Sequence, residues 1–253
     1  MEEETIVINR SADYAQLAIQ GLRSIEVLQK LTPFNLQEIK YYCFAQSELC
    51  GVESIISRTG YSGEDGFELY FSPDFAINIW ESLMTEGKVC GLQPVGMGAR
   101  DTLRLEMGFP LYGHELNETT TLLEAGLGRL IDFSKPHFIG KEILLNQKTD
   151  GIQRKLVGFQ MLGERIPRSK YEIYKNIKKV GIVTSGTMSP TFQRGVGLGY
   201  VRVEEAWEGN EISIMIRQKA LPAAIVKIPF INRFADISEN KGGACHGVTR
   251  QAS

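Results

Sequence analysis

At 253 residues the chain is long enough for one large or two modest domains with a sizeable buried core. Hydrophobic residues at 43% and charged residues at 23% give the balance of an ordinary water-soluble globular protein. A formal net charge of -2 with no long Lys/Arg run argues against nucleic acid or an anionic membrane as partner, although one or two arginines would suffice for a small anion.

The first elements read as a strand and a helix. Ala15, Leu17 and Ile19 alternate up to Gly21, and Leu22, Ile25, Leu28 and Leu31 then share a helical face before Pro33. A second strand is expected over Tyr41–Leu49. The stretch VESIISRT, the turn-rich GYSGEDG and the strand FELYF read as a hairpin with a long, glycine-punctuated connection. Ser72 is placed as an N-cap with Pro73 at the first helical position. Ala76, Ile79, Trp80, Leu83 and Met84 form that helix's buried face, and Gly87 is the expected C-cap. A helix over 97–107 ends at Gly108 and Pro110, and a third, short helix begins near Gly140.

The texture changes at the polar stretch 148–153. Beyond it, KLVGFQML, YEIYKN, KKVGIVTS, VGLGYVRV, EISIMIR and ALPAAIVKIPF recur as short strands with the turn spacing of a small barrel or sandwich. The fold class is therefore α+β, with an α+β unit over 1–150, an all-β unit over 151–231, and a polar, poorly ordered tail over 232–253.

Four cysteines (Cys43, Cys50, Cys90, Cys245) form no CxxC pair, and His114, His137 and His246 are scattered, so no metal site is expected. Cys245 and His246 adjoin, but two neighbouring ligands in a polar stretch do not make a site. Sparse cysteines suit a reducing compartment. The acidic start MEEETIVINR lacks the apolar core of a secretion signal, and no apolar run approaches the ~20 residues that span a bilayer. A soluble protein is expected, cytoplasmic in a bacterium or in the mitochondrial matrix of a eukaryote.

Two stretches carry candidate chemistry. Arg58–Glu68, RTGYSGEDGFE, holds three glycines in seven residues, which implies positive φ angles or close approach to the backbone. Three carboxylates would repel phosphate. One of them turned inward beside Tyr61 would suit a donor-rich heterocycle, taking two parallel N–H bonds while the ring stacks; a surface loop with its acids in water is the plain alternative. In Gly96–Glu106, Arg100 and Arg104 lie one helical turn apart on one face, with Asp101 and Glu106 near. Either the face is solvated and internally paired, or one arginine grips a ligand carboxylate. In the LYGHELN segment that follows, His114 reads as a structural histidine more readily than as a general base, for want of a nucleophile or metal at a telling distance.

In order and spacing, RTGYSGEDGFE, GARDTLRLEMGFPLYGHEL, EAGLGRLIDFSKPHFIGKE, and SGTMSP followed by VGLGYV resemble the successive motifs of glycine cleavage T-proteins, from about Ile8 to Phe230. The resemblance implies a folate-binding α+β domain followed by a small β-barrel that covers a central pterin cavity. Tyr61, Glu68 and Arg100 fall on folate-contacting motif positions, Tyr112 and the YGHEL and FIGKE segments on the cavity wall, and the SGTMSP loop near the site. Ser62 replaces the commoner threonine. The implied reaction takes a methylene carbon from an aminomethyl group on the dihydrolipoyl arm of the H-protein to tetrahydrofolate, with release of ammonia. Such an enzyme works mainly by orienting folate against that carbon.

T-proteins also carry an N-terminal portion with paired aspartates, one of them close to the reacting folate nitrogen, and nothing in residues 1–50 resembles it. No catalytic residue is therefore assigned, and an exposed strand edge is expected. A non-catalytic folate-binding protein, or a fragment needing a separate N-terminal segment, is the alternative. The related folate-binding proteins of iron–sulfur assembly carry KGCYxGQE, whereas this chain reads FIGKEIL without cysteine. The flavin-linked dimethylglycine and sarcosine dehydrogenases need a GxGxxG after a strand, which is absent.

Overall fold

A computed structural model describes residues 6–231, and the expected tail, with Cys245 and His246, lies outside them. The chain divides into two compact units between Gly96 and Met97.

The first unit is a four-stranded antiparallel sheet built from β1 (Ala15–Gln20), β2 (Phe44–Leu49), β3 (Val52–Ser57) and β4 (Gly66–Phe71), in the order β1-β4-β3-β2. Period-two alternation sends Phe67, Leu69 and Phe71 of the inner strand β4 to one face, with Ile19, Ala45, Leu49 and Ile56 from the other three strands. The helices α1 (Ser24–Leu28) and α2 (Ala76–Gly87) close that face with Val27, Leu28, Ile79 and Leu83. Among the described residues β1 and β2 each pair on one side only, so both sheet edges are open.

Around α2 the chain departs from its sequence pattern in three places. Ser72 makes no capping hydrogen bond, because a 3₁₀ turn over Pro73–Phe75 precedes the helix. Trp80 is 42% exposed, at the margin of the apolar stripe. Gly87 is helical rather than a cap: the helix runs on as a 3₁₀ turn, Lys88–Cys90, and Gly91 at φ +73° ends it. Gly87 is needed for closeness, since a Cβ there would lie 2.4 Å from Leu92 Cδ2.

The second unit holds α3 (Met97–Glu106), α4 (Lys141–Asp150) and a closed antiparallel barrel. Its strands are β5 (Arg154–Met161), β6 (Glu172–Lys175), β7 (Lys178–Ser189), β8 (Arg194–Arg202), β9 (Glu211–Ile216) and β10 (Lys219–Val226), in the order β10-β5-β8-β7-β6-β9. All six strand segments expected from the sequence are present. SGTMSP is not a loop, however; Ser185–Ser189 extend β7, after a register shift between Val183 and Ser185. Gly186 is the residue that lets the chain pass, since a Cβ there would lie 2.4 Å from the Pro167 carbonyl oxygen.

Strand β8 explains how the barrel is filled. A Cβ on Gly197 would fall 2.6 Å from Phe159 Cζ, and one on Gly199 would fall 2.9 Å from Ile173 Cδ1. The glycines thus make room for large side chains from facing strands. On the other face of β8, Leu198 and Tyr200 are buried against Leu105 of α3 and Leu156, which is why almost the whole strand is buried.

Candidate functional site

In the first unit the glycine-rich connection is held from inside. Arg58 is buried and grips Asp65 with two parallel bonds, Nε to Oδ1 at 2.9 Å and Nη2 to Oδ2 at 2.6 Å. Its Nη1 donates to the Ile39 carbonyl at 3.1 Å. Gln20, at the end of β1, donates to the carbonyls of Thr59 and Phe67 and accepts from the Ser62 hydroxyl at 3.0 Å. The three glycines serve different ends. Gly63 has φ +78°, whereas Gly60 and Gly66 let Gln20 approach; a Cβ on Gly60 would sit 1.8 Å from Gln20 Oε1.

This clamp sorts the carboxylates. Asp65 is engaged by Arg58. Glu68 lies on inner strand β4, between Ala18 of β1 and Ser57 of β3, on the face opposite the core. Its Oε2 accepts from the Tyr70 hydroxyl at 2.7 Å, and Gln16 Nε2 lies 3.5 Å from the same hydroxyl. Burial, and then the bond to Glu68, push Tyr70 up to about 12, so the phenol stays protonated and donating at neutral pH. Tyr61 is half-buried in the turn that precedes β4.

In the second unit Arg100 is exposed on the first turn of α3, whereas Arg104 is fully buried. Arg104 donates from Nε to Asp101 at 2.7 Å, from Nη1 to the Phe109 carbonyl and to Glu115 Oε2, each at 3.0 Å, and from Nη2 to Ser185 Oγ at 2.9 Å. Glu115, also fully buried, accepts from Thr184 Oγ1 at 2.6 Å and from the Leu111 N–H at 2.9 Å. Its backbone carbonyl accepts from the Tyr200 hydroxyl at 3.0 Å. Ser185 Oγ accepts from Arg104 and keeps its proton for a neighbour; His114 Nδ1 is 3.4 Å away. Glu106 is likewise buried and accepts from Ser189 and Thr191 of the barrel. Arg104 and Glu106 of α3 therefore dock the helix on the barrel, while Asp101 stays partly open to water. Tyr112, in the YGHEL segment, is 69% exposed.

The structure thus places Tyr61 and Glu68 in the first unit and Arg100 and Tyr112 in the second. Sequence reasoning missed Gln20 as the organiser of the glycine-rich turn and Tyr70 as the partner of Glu68. Nothing local flags Gln20, which lies about forty residues before the turn it holds. Tyr70 was accessible, because residues two apart on a strand share a face.

The amino-acid pattern matches two family models in succession: the GCVT N-terminal domain over residues 2–135 and the glycine cleavage T-protein C-terminal barrel domain over 154–232. The chain belongs to the glycine cleavage T-protein family. It is 50% identical over 229 residues to an aminomethyltransferase of Halothermothrix orenii, covering 90% of this chain and 64% of the relative. It is 49% identical over 226 residues to an aminomethyltransferase of Caldanaerobacter subterraneus, covering 89% and 60% respectively. The crystal structure of the glycine cleavage system aminomethyltransferase T from Bartonella henselae superposes with a TM-score of 0.80 at 29% identity, over 87% of this chain and 60% of that one. The chain thus spans less than two thirds of the length of these T-protein relatives. Among the described residues no helix is long and apolar enough to cross a membrane.

Proposed function

We propose that this T-protein chain binds tetrahydrofolate and serves the transfer of a methylene carbon from the aminomethyl-dihydrolipoyl arm of the H-protein to it, with release of ammonia. In this reading Glu68 accepts the amine protons of the pterin and Tyr61 lies against its ring, and Arg100 and Tyr112 are the other folate-binding residues that the family pattern implies. The folate-binding domain runs over 1–150 and the barrel domain over 151–231, in the cytoplasm of a bacterium or a mitochondrial matrix.

The observation that carries the reading is the sorting of acids around the RTGYSGEDGFE turn. Arg58 takes Asp65, while Glu68 stands on the non-core face of an inner strand with its Oε2 fixed by Tyr70. A rigid sheet position with one oxygen already held presents the other in a defined direction, which is what a planar donor edge requires. Family membership and the aminomethyltransferase relatives favour a folate as that donor.

Glu68→Ala is expected to weaken tetrahydrofolate binding by ~1–3 kcal/mol, or about 5- to 150-fold, by leaving pterin donors unpaired. Equal affinity in variant and parent removes Glu68 from the site. A second reading is a folate-binding protein without transferase activity. Tetrahydrofolate-dependent ammonia release from aminomethyl-loaded H-protein separates the two: release above the enzyme-free control supports transfer, and its absence with binding intact supports the second.

A further inference from the structure

The barrel carries a cleft of about 600 Å³ between the segment joining β5 to β6 and the β9–β10 hairpin. Four cations line it: Arg165 and Arg168 from the connection, Arg217 from the hairpin turn and Lys219 from the start of β10. Glu164 is the one acid on its wall. All four cations are exposed, and among the described residues none of them pairs with a carboxylate. Other cations of the same unit do pair: Arg154 with Glu124, Lys179 with Glu172 and Arg202 with Glu204. Four like charges gathered around one concavity are screened by solvent and cost the fold little, but together they set up a local positive field that favours an anion.

The hairpin turn adds a second observation. Ile216 pairs with Lys219, which leaves a two-residue loop in which Arg217 has φ +48° and Gln218 φ +65°. Both central residues of such a turn sit in the left-handed region, where Asn-Gly is the favoured pair. An arginine here works against the turn and in favour of a guanidinium at the cleft mouth. The floor is apolar, made by Ile166, Ile216 and Leu221, with the half-buried Tyr171 offering a ring. The volume falls in the ~300–1,000 Å³ range of small-molecule sites.

We propose that this cleft binds a small organic polyanion, with at least two phosphate or carboxylate groups on an aromatic or apolar body. The guanidinium groups of Arg165, Arg168 and Arg217 take the oxyanions in bidentate fashion, Lys219 adds a point charge, and the body lies over Tyr171 and the aliphatic floor. The site is formed wholly by the barrel and does not depend on the folate reading.

The test is calorimetric titration of the whole chain with two probes, adenosine triphosphate for the phosphate class and benzene-1,2,4-tricarboxylate for the carboxylate class. At least one is expected to bind one-to-one, more weakly as salt rises, and the tighter of the two identifies the source. The double variant Arg168→Gln/Arg217→Gln is expected to lose at least about tenfold in affinity with unchanged thermal stability. Lys155→Gln, a cation outside the cleft, should bind as the parent does. Binding of both probes weaker than about 1 mM, or undiminished affinity in the double variant, overturns the proposal.

Discussion

Replacing Arg104 by methionine tests whether the α3–barrel network is a structural tie. Methionine keeps much of the apolar stem and removes the guanidinium. Four hydrogen bonds go with it, but they differ in weight. Asp101 is 46% exposed, so water replaces its lost donor at little cost. Glu115 is fully buried and keeps the Thr184 hydroxyl and the Leu111 N–H, yet its charge loses its partner. Removing one member of a buried pair costs about 3–5 kcal/mol, and the stranded carboxylate accounts for most of it. Arg104→Met/Glu115→Leu should accordingly be less destabilising than the sum of its single variants, by ~1–3 kcal/mol. Of the two tryptophans, Trp80 lies in the first unit and Trp207 in the second, so a Trp80→Phe background makes urea unfolding of the barrel unit readable by fluorescence. The midpoint should fall with little change in slope. A loss below about 1 kcal/mol for Arg104→Met, or strict additivity in the double variant, refutes the reasoning.

Three further outcomes are expected. Arg58→Met strands Asp65 and leaves the Ile39 carbonyl without its donor, costing about 2–3 kcal/mol, read through Trp80 in a Trp207→Phe background; an unchanged midpoint contradicts the clamp. Gly66→Ala brings a Cβ to 2.7 Å from the Ile19 carbonyl oxygen, where backbone cannot give way easily, and should cost about 1–3 kcal/mol; neutrality in the same assay would show that β1 and β4 can part. Burial works to raise the carboxyl of Glu124, but the bonds from Arg154 and from Thr121 outweigh it and hold it below its ordinary 4.5. Its folded value is depressed, so its contribution is present above the unfolded value and is lost as pH falls through the folded one. Glu124→Gln should flatten the fall in melting temperature below about pH 4.5, and parallel profiles for variant and parent would exclude Glu124 as a source of acid sensitivity.

The strands were legible in the sequence because their signal is local. Alternation in FELYF or EISIMI reports a half-buried face directly, and short apolar runs parted by turn signals mark all six barrel segments. Glycine was harder to read, because one residue type answers two demands. Gly87 looked like a helix cap and is there for Leu92, while the left-handed cap falls to Gly91. The family resemblance made SGTMSP a loop, yet Gly186 sits inside a strand, where the Pro167 carbonyl crosses close above it. In β8 Gly197 and Gly199 face the barrel interior while Leu198 and Tyr200 face outward, the reverse of the usual expectation, because Phe159 and Ile173 arrive from elsewhere in the chain. Close approach is a tertiary property, and a single sequence carries no local sign of which backbone will come near.

The two arginines of α3 show the same limit at the candidate site. Their spacing of four fixes a common azimuth, and on that ground either one could have been the ligand-gripping residue. Spacing says nothing about depth along the helix axis. Met97 is 73% exposed and Arg100 is exposed, whereas Arg104, Leu105, Glu106 and Met107 are buried at the other end. The last turn of the helix therefore lies against the barrel and needs partners for its buried charges, which it finds outside itself in Glu115, Ser185 and Ser189. Burial thus separates two arginines that spacing alone makes equivalent: Arg104 lies within the α3–barrel network, and Arg100 lies at the exposed end of the helix.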